Sequence, residues 1–320
     1  YEDEAVRLAS AGSFTLRVTP NGRYSGRVQL GIKRYPFSGW LDSNVTGATN
    51  TISRRDGPAL TLAFQIGGDQ ADHISGRLSD GTWTASLSGD RADLGSAYAG
   101  SYTLVVPGYD DSATLPAGDS FGTLKVDPKG RVRFVGTLAD GTKVSQSASL
   151  SQSGYWPLHV PLYSGNGTMM SWLALASTAK SDLSGTVTWI KQAGSKSKYY
   201  LGGFTCQCDV YGSAYQRSTP VLNLPTANLI FCGGNLDSEI TNSITIGSGN
   251  KVGTPGKQLK LSFSANTGTF KGTFLNPAGG KPQPFSGVVF QKLNTAYGVL
   301  FGAGDQTSEV CLQPSNPTVD

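Results

Sequence analysis

The strongest constraint on this chain is a hairpin that it repeats. Residues 16–26 read Leu-Arg-Val-Thr-Pro-Asn-Gly-Arg-Tyr-Ser-Gly, and Tyr35-Pro36-Phe37-Ser38-Gly39 follows. Residues 124–136 give the same form two residues longer, ending Phe134-Val135-Gly136. Residues 261–272 give it a third time, ending Phe270-Lys271-Gly272, with Pro284-Phe285-Ser286-Gly287 behind it. The shared pattern is apolar-x-apolar, a turn with Gly, then a strand closed by Gly. A second recurrent hairpin is Leu78-Ser79-Asp80-Gly81-Thr82 and Leu138-Ala139-Asp140-Gly141-Thr142. Alternating apolar runs joined by Gly turns predict antiparallel hairpins. Their recurrence predicts one supersecondary unit used several times.

Glycine accounts for 42 of 320 residues, roughly twice the ordinary usage. Glycine inside a strand weakens it, so its recurrence there needs a cause. A sheet that curls tightly on itself supplies one. There is no G-X-Y period, which excludes collagen. Thirteen Phe, 13 Tyr and 5 Trp exclude disorder. Two Met, few Glu and no capped helical period argue against a helical bundle. The expected fold is all-β, with consecutive antiparallel meander units forming small curved barrels or sandwiches. Small-residue stretches place the unit boundaries at 1–97, 98–192 and 193–320, and the short linkers predict units packed side by side.

The net charge of +4 is spread along the chain without a basic stripe, so nucleic acid is not an expected partner. The longest apolar run, 169–176, is broken by Ser171 and falls far short of the ~20 residues of a membrane helix. Membrane insertion is not expected. The chain begins at Tyr1 and is read as processed or truncated.

All four cysteines lie in the last third: Cys206, Cys208, Cys232 and Cys311. An even count permits two disulfides. A bond between Cys206 and Cys208 is strained, so each is expected to pair with Cys232 or Cys311. Free thiols and a zinc site are the alternatives, although CxC alone matches zinc spacing poorly. Disulfides imply an oxidising, extracellular setting.

Only two histidines are present. His73 reads as an exposed turn residue. His159 lies in the most unusual segment, residues 155–163, Tyr-Trp-Pro-Leu-His-Val-Pro-Leu-Tyr. Trp156, Leu158, Val160 and Leu162 alternate toward a core, and Tyr155, Pro157, His159, Pro161 and Tyr163 face the other way. Pro157 and Pro161 remove two donors from one side, which predicts an edge strand protected against aggregation. Tyr155, Trp156, His159 and Tyr163 also form a candidate aromatic platform for a ligand such as a sugar. Tyr199 and Tyr200 read as domain packing or as a binding rim.

Glycoside hydrolysis needs two carboxylates across a cleft. Asp80 and Asp140 are the available pair, yet Asp-Gly turn chemistry explains both. Asp110, Asp111 and Asp119 offer oxygens to calcium at a spacing that matches no compact loop. Asn44-Val45-Thr46 and Asn166-Gly167-Thr168 are formal glycosylation sequons. No cofactor or metal site is expected.

Residues 138–147, 156–165, 184–191, 284–292 and 297–302 together resemble the β-rich C-terminal region of large secreted proteins of Verrucomicrobia-type environmental bacteria. The resemblance covers most of the chain. It implies a secreted or surface-exposed module of undefined activity, carries no catalytic motif, and implies a first strand before Tyr1 that this chain lacks. The four cysteines depart from its pattern. A sheet missing a strand has an open edge that a neighbour's segment can fill, and the tail 313–320 is a candidate donor.

The leading expectation is a non-catalytic extracellular structural or adhesive module, partnered by copies of itself or by cell-surface components. The alternatives are a carbohydrate-binding module for polysaccharide and an Asp-dependent glycoside hydrolase.

Overall fold

Tyr24-Ser25-Gly26 and Phe37-Ser38-Gly39 lie on neighbouring antiparallel strands in a register that sets Tyr24 against Gly39 and Gly26 against Phe37. Each aromatic ring fills the space above the opposite glycine. A Cβ at Gly26 would come within 2.4 Å of the Phe37 ring, and one at Gly39 within 2.6 Å of the Tyr24 ring. The third copy repeats the device. Phe270 faces Gly287, Gly272 faces Phe285, and a Cβ at Gly272 would meet the Phe285 ring at 2.3 Å. The glycines thus let flat rings lie across the sheet and into the core, where all four rings are buried.

The computed structural model describes residues 6–41, 46–55, 57–67, 72–95, 97–109, 113–254 and 256–315. It is an all-β protein with antiparallel sheets, two of them nearly closed barrels. The first unit holds β1 (Gly12–Val18), β2 (Arg23–Leu30), β3 (Lys33–Trp40), β4 (Gly47–Ile52), β5 (Leu60–Ile66), β6 (His73–Ser79) and β7 (Thr84–Asp90). They form a three-stranded sheet, β1-β2-β3, and a four-stranded sheet, β4-β5-β6-β7. Tyr24, Val28 and Phe37 from one sheet and Leu60, Leu62 and Phe64 from the other make a common core.

The second unit holds β8 (Gly100–Val106), β9 (Ser120–Val126), β10 (Arg131–Thr137), β11 (Lys143–Ser149), β12 (Tyr155–Leu162), β13 (Gly167–Ala174), β14 (Leu183–Lys191) and β15 (Phe204–Ala214). Its eight-stranded sheet runs β11-β10-β9-β8-β15-β14-β13-β12. The strand β15 pairs with both β14 and β8. The small-residue stretch at 193–197 is therefore a loop inside this unit, and the chain passes to the next unit only after Ala214. The third unit holds β16 (Thr226–Cys232), β17 (Ile240–Ile246), β18 (Val252–Gly253), β19 (Leu259–Ser264), β20 (Thr269–Phe274), β21 (Gln283–Phe290), β22 (Thr295–Leu300) and β23 (Ser308–Pro314). Their order is β18-β17-β16-β23-β22-β21-β20-β19. No helix among the described residues is long and apolar enough to cross a membrane.

The expected disulfides are corrected by this topology. Cys206 and Cys208 point from β15 into the core of the second unit, with their sulfurs 3.5 Å apart. Cys232 and Cys311 lie on β16 and β23 of the third. The two pairs belong to different sheets, and none of the four cysteines is in a disulfide. The tail residues 316–320 lie outside the described residues, and 308–314 form β23, paired with β16 and β22 of its own sheet.

Candidate functional site

The interior of the second unit's barrel is closed to ligands. Side chains including Trp156, Phe134 and Met169 leave a void of about 10 Å³, room for no more than one water. Trp156 is wholly buried, its ring 5.1 Å from that of Phe134 and its Nε1 donating to Gln146 Oε1 at 3.0 Å. The alternation of β12 wins over any surface role for this residue, which offers a ligand no face.

Strand β12 stands at one end of its sheet, as the two prolines require. Its outward face is covered over part of its length by the first unit. His159 is 6% exposed, and its Nδ1 shares a hydrogen bond with Ser13 Oγ of β1 at 3.1 Å. Its Nε2 is buried without a partner, and burial holds the imidazole down to about 4. His159 therefore seals the joint between units.

Tyr163 turns inward rather than outward. Its backbone has φ of 50°, its hydroxyl donates to Asp140 Oδ2 at 2.7 Å, and it accepts from Trp189 Nε1 at 3.1 Å. Lys191 Nζ reaches the same carboxylate oxygen at 2.9 Å, and neither side chain of that ion pair is exposed. The ammonium also donates to the Tyr199 carbonyl and lies 5.1 Å from the Tyr163 ring centroid. Burial, then the Asp140 charge, pushes the Tyr163 hydroxyl far above its ordinary range. Asp140 keeps its turn role as well, accepting from the Thr142 N–H at 3.0 Å. The cluster is a desolvated polar network at one end of the barrel.

Tyr199 and Tyr200 pack against the third unit. Tyr199 donates to the Gly302 carbonyl at 3.0 Å. The Tyr200 hydroxyl accepts from the N–H groups of Ala117 and Thr307 at 3.1 and 3.0 Å. Both are buried, so neither forms a rim.

The two tempting carboxylates do not converge. Asp80 sits in the β6–β7 turn of the first unit, paired with Arg54 at 3.0 Å. Burial raises its pKa, but hydrogen bonds from Thr82, Arg54 and Trp83 outweigh it and hold the carboxyl at about 2. Asp140 is bound to Lys191 in the second unit. Of the calcium candidates, Asp110 and Asp111 lie outside the described residues. Asp119 is buried, its Oδ1 accepting from the Gly108 N–H at 2.9 Å. Among the described residues no group of three or more His, Cys, Asp or Glu could hold a metal ion.

An open groove lies between the first two units. It has a volume of about 190 Å³ and is lined by Ser88, Asp90, Tyr155 and Trp172. Tyr155 and Trp172 are 41% and 40% exposed. The ladder explains their company. Pro157 pairs with Trp172 and Tyr155 with Ala174, so Tyr155 and Trp172 are diagonal neighbours on one sheet face. The opposite wall comes from β7, where Ser88 and Asp90 share a face. Backbone pairing holds the walls together. Ala92 bridges to Ser151, Asp93 N–H donates to the Leu150 carbonyl at 2.8 Å, and Gln152 N–H to the Arg91 carbonyl at 3.0 Å. Asp90 ends β7 just before this bridge, and Tyr155 begins β12 just after it. His73, opposite Asp90 in the β6–β7 ladder, sets its Nδ1 2.9 Å from Asp90 Oδ1.

Tyr155 is thus the one platform residue that reaches an open site. Trp172, Ser88 and Asp90 are not among the residues that the sequence pattern singles out. Folding 155–162 back on 167–174 through the turn at residues 163–166 sets Trp172 beside Tyr155. No local signal marks Asp90, because its role depends on how two units dock.

No family model matches the chain, and no curated protein does. Among solved structures, a mutant of Aleuria aurantia lectin in complex with alpha-methyl-L-fucoside is similar at 11% identity, with 98% of each chain covered and a TM-score of 0.16. A score that low does not establish a shared fold.

Proposed function

We propose that this protein is a non-catalytic, secreted or surface-exposed β module that binds saccharides in the groove between its first two units. One observation carries the reading: two half-exposed aromatic rings stand side by side on one wall, facing a carboxylate and a hydroxyl on the other. A pyranose has an apolar face of C–H groups and a rim of hydroxyls. The apolar face gains by burial on an aromatic ring. The hydroxyls need a few fixed polar partners, which Asp90 and Ser88 supply. The edge strand beneath is blunted by Pro157 and Pro161, which favours presenting side chains over recruiting a further strand.

The test is a glycan array followed by titration calorimetry of the hits, with Tyr155→Ala and Trp172→Ala as variants. Both residues are exposed, so the variants should keep the wild-type circular dichroism spectrum. We expect each to weaken binding by about two- to tenfold, the loss of an aromatic stacking contact. An array without hits, or hits indifferent to both substitutions, would refute the reading.

A further inference from the structure

We infer that the groove selects a sugar ring carrying a free, positively charged amine. This rests on the saccharide reading above and narrows it to a substrate class. The argument begins with Asp90. Its Oδ1 is engaged by His73, while Oδ2 has no protein partner among the described residues. The side chain is 25% exposed, so this oxygen is partly withdrawn from water yet open to the groove. A carboxylate in that position accepts from an ammonium through a charge-assisted hydrogen bond, roughly twice as strong as one between neutral groups. It repels a uronic or sialic acid. The titratable group on Asp90 itself is His73, which holds Oδ1 alone, and Arg91, next in the chain, is paired with Asp72 at 3.1 Å.

The aromatic wall favours the same ligand. A cation held near the faces of Trp and Tyr is attracted by the ring quadrupoles. An amine on a ring stacked against Tyr155 and Trp172 lies between those rings and the carboxylate. Ser88 is left for a neutral hydroxyl. The groove's 190 Å³ is below the ~300–1,000 Å³ of sites for drug-sized ligands, so one ring is read at a time.

The experiment compares two probes, the trimer of glucosamine and the trimer of N-acetylglucosamine, by calorimetry on the full chain slightly below neutral pH. Acetylation removes the charge and keeps the ring. We expect the free amine to bind about fivefold more tightly, the upper range for a partly exposed ion pair. The preference should shrink with added salt. Asp90→Asn keeps the shape but removes the charge, and it should erase the preference by bringing the free-amine trimer's affinity down to that of the acetylated one in the same variant. Equal affinities that both fall in Trp172→Ala would overturn the amine preference and leave the saccharide reading standing. A preference that survives Asp90→Asn would overturn it too, as would methylammonium competing as well as the amino sugar. Failure of both trimers and of every other glycan would overturn the saccharide reading itself.

Discussion

Single residues set the curvature of this protein. The aromatic-x-glycine triplet works because an antiparallel register lays each ring over the glycine opposite. At Gly272 an added methyl would meet the Phe285 ring at 2.3 Å and the Lys260 carbonyl oxygen at 2.1 Å, and neither can move freely. Gly272→Ala should therefore lower stability by about 1–3 kcal/mol, the cost of overpacking. Gly202→Ala meets nothing within 4 Å and is the control. Urea denaturation of the two variants measures the difference, and equal midpoints would remove the ring-over-glycine account. The buried pair of Lys191 and Asp140 is a second residue-scale test. Lys191→Met leaves the carboxylate in a dry site with only Tyr163 and neighbouring donors. A loss of about 3–5 kcal/mol is expected, because the orphaned charge keeps its desolvation cost. Adding Asp140→Asn should recover part of it. A double variant as unstable as the single one would show that packing, not charge, governs the site.

Among the elements, β12 shows how far local pattern carries. Its two prolines and its alternation were enough to predict an edge strand with Trp156, Leu158, Val160 and Leu162 inward, and the sheet order and burial agree. The outward face was not legible. Whether His159 and Tyr155 meet water depends on β1 and β7, which lie far away in sequence and reach β12 only through unit docking. The same limit explains Asp140, whose turn role is local and whose partner Lys191 is not. Sequence distance does not show that β15 closes onto β8, which places Cys206 and Cys208 in a different sheet from Cys232 and Cys311. The covered face of β12 predicts a pH dependence. His159 is held at about 4 by burial, against 6.5 in the unfolded chain. Above 6.5 neither state takes the proton and the stability is full. As pH falls from 6.5 toward 4, the unfolded chain binds it and the native protein does not. Stability should drop by about 3 kcal/mol across that window and level off below it. His159→Gln cannot titrate, so the difference in unfolding free energy between it and wild type should change with pH over that window. A constant difference from pH 7 to 4 would rule the imidazole out as the cause.

At the scale of the whole molecule, the second and third units are joined by an apolar patch. Val105 and Phe121 of the second meet Val288, Phe290 and Val299 of the third, apart from the two barrel cores. Polar contacts frame the patch. Thr103 donates to the Val289 carbonyl at 2.6 Å, Lys198 to the Gly302 carbonyl at 2.6 Å, and Lys292 pairs with Asp182 at 2.6 Å. Each barrel also has a large core of its own, so the two can hold their folds while the patch couples their unfolding. Val299→Asp puts an unpaired carboxylate into the patch, where Val299 is fully buried. The charge is expelled most readily by parting the units, because water then solvates it without opening either core. Calorimetry should show the shared transition of the wild type split in two, with the third unit melting first. The groove lined by Tyr155 and Trp172 lies at the other joint, between the first and second units, and any affinity measured for the proposed saccharide should be unchanged. One cooperative transition shifted to lower temperature would mean that the two barrels do not fold independently and that the patch belongs to a single core.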